Sequence, residues 1–272
     1  MTEKTINDIV WWIPNRKLRD NIRAVLYEIK DIHKIVMDIR RIMITKYSDV
    51  NDIYSGKLGG IDFKFYDSIS SCTAGLLFAE MDDYNFDSID FKEGDVVIDI
   101  GGNIGGASIY LAKKYPFLKI YAFEPDKNNY ENFLRNIELN NINKDIITVF
   151  NLAITKDRRD VMVNSPFHNS GEGNIYNFYS GDMANTTPNI KSITLDDIFA
   201  NNNISKCKLL KIDCEGAEYE ILYNANIENL KNCEYLRGEF HGVNKQEDLY
   251  NYCSKYIKNI EIIYNSNDYS KY

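Results

Sequence analysis

Val96-Val97-Ile98-Asp99-Ile100-Gly101-Gly102-Asn103-Ile104-Gly105-Gly106 decides how this chain is read. An apolar run carrying one acid meets a glycine-dense turn, and Ala107 to Lys114 continues with helical character. That is the pattern of a buried parallel strand whose carboxyl end faces a nucleotide-like ligand. The glycine positions narrow the ligand. A dinucleotide fingerprint needs glycines at i, i+2 and i+5. Counted from Gly101 the second position is Asn103, and counted from Gly102 it is Ile104, so neither register fits. The fold class that follows is α/β, a Rossmann-like doubly wound sheet with helices on both faces.

Working outward, Lys119 to Phe123 reads as a second strand ending at Glu124-Pro125-Asp126. A carboxylate at that tip can accept hydrogen bonds from two vicinal ribose hydroxyls. The competing role for Glu124 is to cap the helix that begins near Lys127; its place behind the glycine turn favours the ribose. Tyr130 to Leu139 reads as helix and Ile146 to Asn151 as the third strand, whose tip, Asn151-Leu152-Ala153, is expected near an adenine. Leu209 to Ile212 forms a fourth strand closed by Asp213, and Tyr235 to Phe240 a fifth ending at Glu239-Phe240-His241. Ligands of a doubly wound sheet sit beyond the carboxyl ends of its strands. Residues two apart on a strand share a face, so Glu239 and His241 point together. Lys211, one step inward from Asp213, is placed to pair with an acid.

At this point the chain resembles the FkbM family of S-adenosylmethionine (SAM)-dependent O-methyltransferases. The resemblance rests on Val-Ile-Asp-Ile-Gly-Gly-Asn-Ile-Gly (97–105), Phe-Glu-Pro-Asp (123–126), Thr-Leu-Asp (194–196), Leu-Lys-Ile-Asp-Cys-Glu-Gly-Ala-Glu (210–218) and Gly-Glu-Phe-His (238–241). These segments keep the family's order and run from about Phe91 to His241, departing at Cys214, where the family usually has Val. The pattern Asp-x-Gly-x-Asn-x-Gly (99–105) is similar to the first motif of SAM methyltransferases. The resemblance implies that Asp99, Gly101, Asn103 and Gly105 form the cofactor turn, where a Cβ would clash with the methionine and ribose parts. Glu124, Asn151, Ala153 and Asp213 complete the expected cofactor set.

Methyl transfer to an alcohol also needs a group that removes the acceptor's proton. Asp213, Glu239 and His241 are the candidate catalytic residues, with His241 as the natural base. A divalent ion, Mg or Mn, held by these three is the alternative. The metal-free version is carried forward, because the sequence supplies ligand types but no spacing that specifies a metal site. Glu215 and Glu218 fall where an acid-favouring helix begins, so a structural role competes with a functional one for both. The acceptor class implied by the resemblance is a hydroxyl of a saccharide or sugar nucleotide in bacterial surface-polysaccharide biosynthesis. The alternatives are a polyketide-type natural product, a nicotinamide-dependent oxidoreductase, which the glycine spacing opposes, and a non-catalytic scaffold.

The 272 residues suffice for one large α/β domain plus an appendage. A net charge of −8 opposes general nucleic-acid binding, which needs Lys and Arg to neutralise phosphates. No apolar run has the length of a membrane span, and no signal-peptide core opens the chain. Five cysteines without metal-ligand spacing read as reduced thiols of a cytoplasmic protein. Residues 1–60 are expected as a helical extension and 61–272 as the methyltransferase domain. Within the extension, Ile22, Val25, Ile29, Ile32, Val36, Ile39 and Met43 form a three-four seam on one helix from Asn15 to Tyr47. That seam either joins two chains in a homodimer or docks on the chain's own domain. Trp11 and Trp12 beside Arg16, Lys17 and Arg19 serve as a helix staple or touch an anionic membrane face. His33 is expected on the helix surface. Ile61 to Tyr66 reads as a strand after a Gly59-Gly60 turn, and Thr73 to Met81 as a short helix. Asn164 to Asn189, rich in Ser, Gly, Asn and Tyr and carrying His168, is expected as a functional lid, with disorder as its competitor.

Overall fold

Apolar strands that bury both faces need helices above and below, and such strands form the middle of a six-stranded sheet at the centre of this chain. The computed structural model describes residues 53–67, 71, 73–166, 171, 173–176, 184–241 and 245–265. The expected helix over 15–47, with Trp11, Trp12 and His33, lies outside them, as do His168, Phe178 and Tyr179 of the expected lid.

The described chain opens with an antiparallel hairpin, β1 (Ile53–Leu58) and β2 (Ile61–Tyr66), turning at Gly59 and Gly60. The hairpin spans the boundary expected between residues 60 and 61. Helix α1 (Thr73–Glu80) runs on into a tight 3-10 turn, Met81–Tyr84. The glycine-turn unit follows as β3 (Val96–Ile100), α2 (Gly106–Lys114), β4 (Lys119–Phe123), α3 (Lys127–Leu139) and β5 (Ile147–Phe150). Next come β6 (Ala153–Ile154), β7 (Val161–Pro166), β8 (Ala184–Ile190) and β9 (Ser192–Ile193), with β6 paired to β9 and β7 to β8. The second half holds α4 (Leu195–Asn201), β10 (Cys207–Ile212), α5 (Glu218–Asn224), α6 (Ile227–Lys231), β11 (Cys233–His241), α7 (Gln246–Cys253) and β12 (Asn259–Asn265).

The central order is β12-β11-β10-β3-β4-β5, every neighbour parallel. Numbered along the chain, these six strands stand in the doubly wound order 3-2-1-4-5-6, with the reversal between β3 and β10. Ile98, Ile100, Phe123, Leu210, Ile212 and Phe240 are buried in the core they share.

Two elements depart from the sequence reading. The expected lid is partly an antiparallel ribbon, since β7 and β8 pair through its two ends. Pro188 suggested a loop there, yet a two-stranded ribbon leaves free edges on which a missing N–H costs little. Strand β12 is the other: the sequence reading left it unassigned, its run Asn-Ile-Glu-Ile-Ile-Tyr-Asn (259–265) lacks strict alternation, and its pairing with β11 decides its state. Among the described residues no helix is long and apolar enough to cross a membrane.

The hairpin is stapled to the core by asparagines. Asn136 Oδ1 accepts from Tyr66 N (2.6 Å), while its Nδ2 donates to the carbonyls of Tyr66 and Ile104. One helical turn on, Asn140 makes the same two-way contact with the backbone of Lys64. Asn136 is fully buried, so its loss strands polar groups away from water. Asn136→Ala is expected to destabilise the fold by about 2 kcal/mol, near the cost of leaving one or two buried partners unpaired. A urea titration should show a lower midpoint with an unchanged slope.

Candidate functional site

The cleft opens at the carboxyl ends of β3, β4 and β10, where the strand order reverses. Its empty space, counted with the open solvent at the mouth, is about 860 Å³. Gly101, Gly102 and Asn103 form its floor. Gly101 has φ +80°, and a Cβ there would fall 1.7 Å from the carbonyl oxygen of Asp213. The glycine therefore lets the chain leaving β10 cross the turn, whereas the sequence reading assigned the clearance to the ligand. Gly105 does not line the cleft; it starts α2 at φ +96°, with the Phe133 ring where a side chain would be.

Glu124 is 5% exposed and faces the cleft. Its Oε2 accepts from Asn103 N (2.7 Å) and its Oε1 from Asp126 N (2.8 Å). Capping of α3 falls to Asp126, which accepts from Asn128 N and Asn129 N. The Asn129 side chain donates to the same carboxylate, so three of its four lone-pair sites are taken and one stays open to a ligand. Burial, then the nearby Asp126, pushes this carboxyl up to about 8, against the two backbone donors. Asn103 adds a buried Oδ1 that meets no donor among the described residues. A vicinal diol and a further donor group would satisfy both, so these residues fit a nucleoside cofactor. Leu152, Ala153 and Ile154 form the adjoining wall. Asn151 faces away, donating through Nδ2 to the carbonyls of Glu124 and Pro125. Asp99 lies beneath the floor, accepting from Ser108 Oγ at 2.6 Å.

Lys211 is buried under the same floor. Its Nζ donates to the Gly101 carbonyl (2.8 Å) and stands 3.2 Å from Asp99 Oδ1 and 3.8 Å from Asp213 Oδ2. Burial alone would depress its pKa, but Asp99 and then Asp213 outweigh that and raise it. The ammonium stays charged, as the sequence reading required of a lysine paired with an acid.

The acids gather at the tips of β10 and β11. Asp213 and Glu215 line the cleft, Glu215 with an unusual φ of +54°. His241 and Glu239 lie behind them. His241 Nε2 is 3.3 Å from Glu215 Oε2, 3.7 Å from Glu239 Oε1 and 3.9 Å from Asp213 Oδ1. Its Nδ1 meets Glu218 Oε1 at 3.0 Å, and that oxygen also accepts from Cys214 N. Burial would lower the pKa of His241, but Glu215, Glu218 and Asp213 together hold it well above its usual value. One ligand atom each from Asp213, Glu239 and His241 lie within 4.8 Å of one another. The sequence reading made His241 the direct base, yet it is 1% exposed and screened from the cleft by acids. Asp213 and Glu215 are the acids of this group that line the cleft.

Tyr84 escaped the sequence reading, because it belongs to no motif. Its hydroxyl donates to Asp213 Oδ2 at 2.6 Å and its ring stacks on Phe86. Burial, then Asp213, pushes the phenol well above its usual pKa, so it remains a donor. Leu77 and Met81 share the cleft wall with it. Of the expected lid, Gly171, Gly173, Asn174 and Ile175 reach the cleft.

A family model described as Methyltransferase FkbM domain matches residues 99–269. Methyltransferase 1 of Beauveria bassiana is 28% identical over 156 residues, 50% of this chain and 61% of that relative. Methyltransferase sdnD of Sordaria araneosa is 24% identical over 193 residues, 60% of this chain and 73% of that protein. The chain thus spans about three fifths of the first relative's length and three quarters of the second's. A crystal structure of M. jannaschii TYW2 in complex with AdoMet aligns at 22% identity with a TM-score of 0.28, covering 38% of this chain and 44% of that one.

Removing the Lys211 ammonium leaves Asp99 buried and uncompensated. Lys211→Met is expected to cost about 3–5 kcal/mol of stability, the usual penalty for breaking a buried pair. The Asp99→Asn, Lys211→Met double variant should recover part of that loss, because it removes the orphaned charge. Urea denaturation of both variants measures it.

Proposed function

Since the chain belongs to the FkbM methyltransferase-domain family, we propose that it transfers a methyl group from SAM to a hydroxyl of a saccharide or sugar nucleotide. The observation that carries this reading is Glu124, a buried carboxylate released from helix capping and turned into the cleft beside the glycine floor. When bound, SAM supplies a methyl group on a sulfonium, a good leaving group. Glu124 would accept from its ribose hydroxyls, the backbone of Gly101 to Asn103 would hold its middle, and Leu152 to Ile154 would cover its base. Asp213 and Glu215 then stand at the acceptor's end of the cleft.

Methyl transfer is an in-line displacement, so most of the catalysis is placement. The remaining task is the acceptor's proton. Asp213 takes it, because its carboxylate reaches the cleft while Tyr84 and Lys211 hold it in place. His241 and Glu239 act through Asp213 from behind. The acceptor class is carried over from the family resemblance. A polyketide-type hydroxyl would suit the same core, and an acceptor screen separates the two.

Two outcomes test this reading. Ribose hydroxyls bond best to an ionised carboxylate, and ionisation of Glu124 is incomplete below about pH 8. Affinity for S-adenosylhomocysteine should therefore rise from pH 6 to about 8 and level off above, with protons released on binding. Glu124→Gln should flatten that dependence and weaken binding at high pH about tenfold or more, the worth of a charge-assisted bond. Calorimetry with a pH-independent affinity in the unaltered protein would remove the ribose role. Separately, labelled SAM offered with a panel of saccharides and sugar nucleotides should give a methylated product. Asp213→Asn should lower its rate by about 10²–10⁴-fold, as expected for a lost general base; an undiminished rate would exclude Asp213 from that role.

A further inference from the structure

We infer that the tips of β10 and β11 form a binding site for one hard divalent cation, Mg²⁺ or Mn²⁺, with Asp213, Glu239 and His241 as ligands and Glu215 within reach. The donor set is a histidine nitrogen with carboxylate oxygens, a mixed set that such ions accept. Donors around an octahedral ion at about 2.1 Å lie roughly 3–4.2 Å from one another. The distances from His241 Nε2 to Glu215, Glu239 and Asp213, 3.3, 3.7 and 3.9 Å, fall in that interval.

The surroundings of the histidine support the same conclusion. Metal-binding imidazoles commonly give their second nitrogen to a carboxylate, which fixes the tautomer and aims the ring. Glu218 does this at Nδ1, so that Nε2 faces the three other acids. Glu218 is wholly buried, and its Oε2 meets no hydrogen-bond donor among the described residues. Lys211 and Tyr84 engage Oδ2 of Asp213, while Oδ1 is the oxygen nearer His241. Four carboxylates thus surround one imidazole, and the nearby lysine is already shared with Asp99. Carboxylates gathered this closely favour a bound cation.

The position beside the cleft also gives the ion a task. Asp213 and Glu215 belong both to the ion site and to the cleft wall. A cation there would lower the pKa of an acceptor hydroxyl directly. That task rests on the methyl-transfer reading above; the binding of the ion does not.

Titration of the metal-depleted full chain with Mn²⁺, by calorimetry and electron paramagnetic resonance, tests the site. One saturable Mn²⁺ per chain is expected, with an imidazole nitrogen coupling in the spin-echo spectrum. Glu239→Gln should weaken binding at least tenfold, and His241→Ala should abolish the nitrogen coupling. Should either variant fail to fold, the unaltered protein still decides, because its thermal midpoint should rise with added Mn²⁺. Absence of saturable binding, or binding without nitrogen coupling, would overturn the proposal. Mn²⁺ binding together with no methyl transfer to any acceptor would uphold the site and count against the methyl-transfer reading.

Discussion

The buried ammonium of Lys211 is the contact on which the site depends. It reaches the Gly101 carbonyl, Asp99 and Asp213, and so joins three segments at the point where the strand order reverses. Neutral side chains could fill that volume, but none could donate to the floor of the turn while balancing acids on two neighbouring strands. Glycine at 101 completes the arrangement, since any side chain there would collide with the Asp213 carbonyl. The β3 turn and the β10 exit are therefore held as one unit, and residues on either side of it take fixed positions along the cleft.

A division of labour between two acids makes the cofactor end. Asp126 takes the helix N-terminus, with its exposed N–H groups, and Glu124 is left facing the cleft. The cost is a carboxylate whose charge is opposed by burial and then by Asp126. A ligand that donates hydrogen bonds would relieve that cost.

The opposite wall comes from outside the matched family segment. Leu77, Met81 and Tyr84 recur at one helical face along α1 and its 3-10 extension. Leu77 lies against Gly106 at the start of α2, and Tyr84 reaches Asp213. The 3-10 turn after α1 thus holds an acid of the cleft as well as extending the wall, through an aromatic stack and one short hydrogen bond.

The strands from β3 to β5, β10 and β11, and the residues at their tips, were legible in the sequence because each is a local pattern: an apolar run ended by a glycine or an acid. Glu124, Asp213, Glu239 and His241 could be named from those ends alone, and so could the pairing of Lys211 with an acid. Pairing partners are a different matter, since they depend on residues far along the chain. The β7–β8 ribbon and β12 owe their conformation to neighbours, and Tyr84 reaches Asp213 across 129 positions. The order of burial behind the cleft, with Asp213 in front and His241 enclosed by four acids, was likewise a tertiary outcome. The amino-acid pattern determined which groups stand at the carboxyl edge of the sheet. Only the packing of β10 against β3 and β11 decided how far apart their charges lie, and at distances of 3–4 Å that separation sets what each group can bind.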